Sequence, residues 1–171
     1  MERLFCDPRK CVGCHSCELA CALEHTPSKG LFKSVMDGEL GPPRRRVQTF
    51  GDRPYRVAIG GVVVSLGCHH CDPAPCVDAC FSGAMHKVNG ETVCDLDKCV
   101  GCWMCVMSCP YGAITPHVKA LKCDLCPDRR EKAGRSRHAC VEACPTEALF
   151  AGTFDEFGKS LAKPVAKGVA Q

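Results

Sequence analysis

Aromatic residues are scarce in this chain of 171 residues: one Trp, two Tyr and seven Phe, 6% of the total. The longest apolar stretch, residues 57–66, is broken by Gly60-Gly61. It falls far short of the roughly 20 residues that a membrane-spanning helix needs. The opening residues, Met1 to Cys6, have neither the apolar core nor the small-residue cleavage site of a secretory signal. Arg44-Arg45-Arg46 lies too far into the chain to act as a twin-arginine export signal. A cytoplasmic location with no membrane span is therefore expected. There is no glycine-rich nucleotide or phosphate loop and no His/carboxylate set with ligand spacing, so no catalytic constellation can be drawn. Apolar residues make up 46% of the chain, but that figure counts cysteine. Without cysteine the share is about 36%, thin for a conventional core.

Cysteine is what the chain has in excess, with 18 residues. They fall into four groups: Cys11, Cys14, Cys17, Cys21; Cys68, Cys71, Cys76, Cys80; Cys99, Cys102, Cys105, Cys109; and Cys123, Cys126, Cys140, Cys144. Cys6 and Cys94 are left over. The chain also repeats itself. Residues 6–17, CDPRKCVGCHSC, and 94–105, CDLDKCVGCWMC, share eight of twelve positions. A second echo links PCVDACFSGAM at 75–85 with ACVEACPTEAL at 139–149. Cys6 and Cys94 hold equivalent places in the repeat and read as small buried residues on equivalent strands. Short strands are expected near residues 4–6, 57–66, 93–95, 114–115 and 149–150. Short helices are expected to begin at the last two cysteines of each group, whose i,i+4 spacing would stack them on one helical face. The architecture is read as α+β, loop-rich, with little regular secondary structure. Residues 27–55 form an insertion, 127–138 a basic loop, and the tail from 155 shows little sign of a core.

In a cytoplasmic chain, where thiols stay reduced, such cysteine groups point to metal rather than disulfides. Groups one and three have the spacing C-x2-C-x2-C-x3-C, the bacterial ferredoxin run, in which the fourth cysteine ligates the other cluster of a pair. Groups two and four are variants with longer inserts, C-x2-C-x4-C-x3-C and C-x2-C-x13-C-x3-C. Gly13 and Gly101 sit between ligands, where positive φ and close backbone approach are useful. Four complete all-cysteine sets imply four [4Fe–4S] clusters on sixteen cysteines. The alternative is structural zinc, but zinc ligands seldom crowd four cysteines into eleven residues. A site with four protein ligands has no open position for substrate, so it suits electron transfer and not catalysis. Spacing leaves two pairings open: one with two and three with four, or one with four and two with three. The formal charge of +3 treats the thiols as neutral. Four dianionic cluster sites would move it by about −8, to about −5. No nucleic-acid partner is implied.

The four motifs, with inserts in the second and fourth, resemble the polyferredoxin subunits of bacterial oxidoreductase complexes over roughly residues 3–152. That superfamily includes the iron–sulfur subunits of DMSO reductase, nitrate reductase, formate dehydrogenase and formate-linked hydrogenases. CELACALEHTPSKGLF, PPRRRV, CHHCDPAPC and KCVGCWMCVMSCPYGAI are most similar to the small iron–sulfur subunits of anaerobic CO dehydrogenase and of tungsten aldehyde oxidoreductases. The resemblance implies two ferredoxin-like units with swapped ligands, spanning residues 1–152. Cys11, Cys14, Cys17 and Cys144 would hold one cluster, and Cys123, Cys126, Cys140 and Cys21 the next. Cys68, Cys71, Cys76 and Cys109 would hold the third, and Cys99, Cys102, Cys105 and Cys80 the fourth. Because Cys102 is present, with Trp103 after it, all four are expected to be cubanes. Ala22 and Phe81 replace the proline that follows the last cysteine of groups three and four, which touches turn geometry and not ligand count.

The resemblance also implies an electron-transfer subunit serving a catalytic partner of the nickel CO dehydrogenase or tungsten aldehyde oxidoreductase type. A flavoprotein or hydrogenase could be a further redox partner, and the chain could associate with itself into a longer cluster wire. The alternatives are a free-standing polyferredoxin carrier and a subunit of a formate dehydrogenase or hydrogenase complex. Residues 27–55 and the tail 153–171 are read as partner contacts. His15, His69 and His70 read as surface residues or packing around ligands, the alternative being tuning of potential or proton movement, and Trp103 as a packing residue near a cluster rather than an electron relay. Arg44–Arg46 and Arg129 to Arg137 are either solvated loops or a docking surface for an acidic partner.

Overall fold

The computed structural model describes residues 2–51, 61–132 and 138–162. The first part of the expected 57–66 strand, the centre of the basic loop and the end of the tail lie outside the described residues. In chain order the elements are β1 (Arg3–Cys6), α1 (Ser16–Glu24), α2 (Leu31–Met36), β2 (Arg46–Phe50), β3 (Val62–Leu66), α3 (Pro75–Asp78), β4 (Met85–Val88) and β5 (Glu91–Cys94). They continue with α4 (Met104–Ser108), β6 (Ile114–Thr115), β7 (Leu121–Lys122), α5 (Pro127–Lys132), α6 (Ala139–Glu142), β8 (Leu149–Gly152) and α7 (Phe154–Ala162). None of these exceeds nine residues. The chain is thus mixed and loop-rich, as its composition implied. No described helix is long and apolar enough to cross a membrane.

The strands form four two-stranded antiparallel sheets: β1 with β8, β2 with β3, β4 with β5, and β6 with β7. The first joins the two ends of the chain, setting Cys6 opposite Leu149. The third is a hairpin closed by Asn89-Gly90, both at positive φ, the residue pair that a tight hairpin turn favours. It sets Cys94 opposite Met85. The sequence repeat is therefore a structural one. Asp7 N–H bonds Ala148 O at 2.7 Å, and Asp95 N–H bonds Ala84 O at 2.8 Å.

Two cores follow from this pairing. In one, α1 packs on α6 beneath β1 and β8, burying Leu4, Cys17, Leu125, Cys140 and Leu149. In the other, α3 packs on α4 beside β4, burying Met85, Cys105, Ile114 and Ala120. The first core joins cysteine groups one and four, and the second joins groups two and three.

Three expectations change. Only Cys17 and Cys21 share one helix, because α3, α4 and α6 stop before the last cysteine of their groups. Pro110 and Pro145 follow two of those cysteines and disfavour helix at the residue before them; Cys109 is extended, at φ −78 and ψ 111. The insertion contributes a helix and the strand β2. The start of the tail forms α7, which settles on the first sheet with Phe157 stacked on Phe5 at 4.8 Å and near Phe150 at 6.0 Å.

Candidate metal centres

Each C-x2-C pair is closed by a residue in the left-handed region just before its second cysteine. These residues are Gly13 at φ 69, His70 at 47, Gly101 at 69 and Leu125 at 60. Glycine adopts this conformation freely; histidine and leucine do so only where their surroundings hold them. His70 and Leu125 are both fully buried, which supplies that hold. Sequence reading identified the two glycines and missed the other two positions, since neither residue type signals such a turn. In groups one and three the residue after the second cysteine, His15 or Trp103, is also left-handed, at φ 59 in both. It opens the helix carrying the next ligand candidate.

The thiols gather across groups. Cys11, Cys14, Cys17 and Cys144 line one small cavity together with Cys6, Val47 and Leu149. Cys21, Cys123 and Cys126 all lie close enough to Cys140 for its charge to oppose their ionisation. Cys76 stands in that relation to Cys68 and Cys109, and Cys105 to Cys80 and Cys99. Cys71 is half-buried, and Cys14 and Cys102 are exposed. Among the described residues no three His, Cys, Asp or Glu side chains converge on a point where one ion would sit. The cavity thiols stand around a space instead.

The last cysteine of every group accepts a backbone N–H: Cys21 from Arg44 at 3.4 Å, Cys80 from Met85 at 3.2 Å, Cys109 from Ala113 at 3.4 Å and Cys144 from Ala148 at 3.3 Å. Three of these donors lie four or five residues beyond the cysteine, where the chain enters the next strand. For Cys21, still inside α1, the insertion supplies the donor. Burial opposes ionisation of Cys80 and Cys144. Their N–H donors and the hydroxyls of Ser82 and Thr146, at 3.6 and 3.7 Å, outweigh it and bring both thiols below the ordinary value. Elsewhere burial prevails, pushing Cys76 and Cys126 up to about 11 and Cys21 to about 12. Such thiols keep their protons until a bound cation displaces them.

The remaining candidates are placed as follows. Cys6 and Cys94 end equivalent strands, as expected, but each is half-buried and not the buried residue expected. Each also lies within hydrogen-bond reach of the first cysteine of its group, Cys11 or Cys99. His15 is exposed and bonds Glu18 at 2.8 Å. His69 packs on Tyr111 at 4.4 Å. His70 Nδ1 accepts the Thr92 N–H at 3.2 Å, so the proton of the neutral ring sits on Nε2. Nε2 is buried with no hydrogen-bond partner among the described residues. Trp103 is not the packing residue expected. It is 47% exposed, held at the surface by its indole N–H on His117 O at 3.2 Å. The arginine run is not one patch either. Arg44 pairs with Asp124, Arg45 is buried and Arg46 is exposed. Arg129 is nearly buried between Glu24 and Glu142. Residues 133–137 of the basic loop lie outside the described residues.

A sulfur-rich, loop-wrapped set with N–H donors to the thiols is the donor chemistry that iron–sulfur clusters take. The family model described as a 4Fe-4S dicluster domain matches residues 60–154, a span containing twelve of the sixteen group cysteines. The chain is 33% identical to an "Iron-sulfur protein" of Rhodospirillum rubrum, over 98% of this chain and 90% of that one. It is 36% identical to a subunit of the anaerobic dimethyl sulfoxide reductase of Escherichia coli (strain K12), over 91% of this chain and 75% of that subunit. It is 33% identical to "Thiosulfate reductase electron transfer subunit PhsB" of Salmonella typhi, over 88% and 74%. The shared loops, thiols and sequence give one conclusion: the chain belongs to the 4Fe-4S dicluster family, alongside iron–sulfur electron-transfer subunits of oxidoreductase complexes.

Proposed function

We propose that this chain is a non-catalytic electron-transfer subunit with four [4Fe–4S] sites, working in the cytoplasm beside a catalytic oxidoreductase subunit. The sites are Cys11, Cys14, Cys17 and Cys144; Cys21, Cys123, Cys126 and Cys140; Cys68, Cys71, Cys76 and Cys109; and Cys80, Cys99, Cys102 and Cys105. The observation that carries this reading is the left-handed turn repeated in all four C-x2-C loops. One loop conformation used four times, each with its cysteines, suits four like groups. The gathering of group-one thiols with group-four thiols, and of group two with group three, supports the swapped ligand sets. When bound, each cluster carries one electron. The protein's own residues hold the thiolates, donate N–H bonds that tune them, and keep water from the inner sites.

The exposed thiols, Cys14 and Cys102, belong to the first and last of these sets. They make those two sets the natural points of electron entry and exit. Around Cys102 the surface is apolar: Val100, Trp103, Met107 and Val118 are all exposed. On the insertion, α2 exposes Phe32 and Met36 at 85% and 84%, with Leu31 and Val35 beside them. Both surfaces fit contact with other subunits. The sequence resemblance favours a CO dehydrogenase or tungsten aldehyde oxidoreductase partner. The names of the E. coli and Salmonella relatives favour a second reading, a dimethyl sulfoxide or thiosulfate reductase partner.

Metal analysis of the complex purified anaerobically from its native source tests all of this. About sixteen irons per chain are expected from four cubanes on sixteen cysteines. Nickel with iron identifies a CO dehydrogenase partner, and tungsten or molybdenum an aldehyde, formate or other reductase partner. Iron alone favours a free carrier. Zinc without iron overturns the proposal.

A further inference from the structure

Two cations are buried in this protein with no carboxylate on them among the described residues. Arg45 is 5% exposed and Lys122 is 3% exposed. Arg45 Nε donates to Ser65 Oγ at 2.7 Å and Nη2 to Ser65 O at 3.1 Å. Its Nη1 points at Cys140 Sγ, 4.0 Å away. Ser65 Oγ in turn lies 3.2 Å from Cys17 Sγ. Gly67 keeps the room that the guanidinium needs, since a Cβ there would come within 2.9 Å of Nη1. Lys122 Nζ donates to the backbone carbonyls of Thr92 and, at 2.9 Å, of Cys123. Cys76 is near enough for the ammonium charge to favour its thiolate. The contrast with Arg44 is direct, because Asp124 neutralises that side chain.

A buried charge without a counter-charge is strongly disfavoured. Carbonyls and a hydroxyl satisfy donors but leave the charge uncompensated. Among the described residues, the groups on which these cations act and that could carry negative charge are thiols: Cys17, Cys123, Cys140 and Cys6 about Arg45, and Cys76 about Lys122. We propose that Arg45 and Lys122 are internal counter-cations of the cluster sites, raising the reduction potentials of the sites they flank. Arg45 lies between the Cys11/14/17/144 set and the Cys21/123/126/140 set. Lys122 lies between that second set and the Cys68/71/76/109 set. The inference rests on the four-cluster reading above. Reduction adds one electron and no proton to a site that is already anionic, so a fixed cation stabilises the reduced form more than the oxidised one. Neither cation figures among the main influences on Cys80 or Cys105, so the Cys80/99/102/105 set serves as an internal reference.

The test is an anaerobic redox titration of the iron-loaded complex, followed by electron paramagnetic resonance, in the parent, Arg45→Met, Lys122→Met and the exposed control Arg46→Gln. Each buried variant should lower the midpoints of two sites and leave others in place. The expected change is at least tenfold in the reduction equilibrium, 59 mV for one electron. Arg46→Gln should move none. Unmoved midpoints in brown, fully loaded Arg45→Met and Lys122→Met overturn the inference, as does an equal drift of all four sites. If a Met variant does not assemble, Arg45→Lys and Lys122→Arg decide. Assembly with parent potentials supports a charge requirement, and failure shows that hydrogen-bond geometry is what matters and overturns the inference. A colourless, zinc-containing parent would overturn the cluster reading itself, before any titration is run.

Discussion

Gly13 and Gly101 are the same residue in the two copies of the repeat, with the same φ of 69, yet their surroundings differ. A Cβ on Gly13 would meet the Val63 side chain at 3.1 Å, and a valine can give way. A Cβ on Gly101 would meet the Val118 backbone carbonyl at 2.6 Å, which cannot move without moving its loop. Both alanine substitutions incur about 1–2 kcal/mol for a left-handed L-residue. Gly101→Ala adds the collision. We expect visible absorbance to bleach in denaturant faster in both variants than in the parent, and fastest in Gly101→Ala. Equal bleaching of the two would show that the Val118 loop adjusts freely. The same scale shows the limit of pattern reading. His70 and Leu125 occupy the corresponding turns without glycine, held by burial that no local sequence rule reveals.

At the scale of elements, the first core is clipped by charge as well as packing. Glu24 at the end of α1 binds Lys29 at 2.8 Å and Arg129 at 2.7 Å, and Arg129 reaches on to Glu142 of α6. Burial alone would raise the Glu24 carboxyl, but its two cations outweigh it and hold it below the ordinary 4.5. A depressed acid stabilises the fold above its unfolded pKa, and that contribution fades as pH falls through the folded value. The stability gap between the parent and Glu24→Gln should therefore be constant at neutral pH and narrow below about pH 4.5. Bleaching rates measured in parallel across that range check it; a gap that widens in acid would assign the stabilisation to something else. Arg129→Met should cost about 1–2 kcal/mol, between an exposed pair and a fully buried one.

The whole molecule has little apolar material beyond its thiols, and cysteines are built into both cores. Removing iron should therefore unfold it. Stripping the metal with acid and chelator, then returning to neutral pH anaerobically, should collapse the far-ultraviolet circular dichroism and enlarge the hydrodynamic radius. A compact, structured metal-free chain would mean that the protein core suffices without the clusters. The outer surface makes its own prediction. Phe32→Ser on α2 should leave iron content unchanged while reducing recovery of the catalytic subunit in the same purification. Undiminished recovery would move the contact elsewhere, with the apolar surface around Cys102 next in line. Self-association through these surfaces predicts a concentration-dependent elution volume, whereas a monomer at every concentration argues against a wire of several copies.

The sequence by itself determined the four cysteine groups, the duplication, the loop-rich class and the equivalence of Cys6 with Cys94. These depend on residue identity and spacing along a few covalent turns, where geometry is local. Only the tertiary structure decided which groups meet, because β1 and β8 lie at opposite ends of the chain and nothing in either strand names its partner. It also separated three adjacent arginines into an ion-paired, a buried and an exposed side chain. Arg44 and Arg45 lie in the bend that leads into β2, and what each side chain meets, Asp124 for one and Ser65 and Cys140 for the other, is set by distant parts of the chain. Helix ends followed the same rule. The i,i+4 spacing promised both cysteines on one helix, but in three groups the last cysteine left it for a backbone N–H four or five residues beyond.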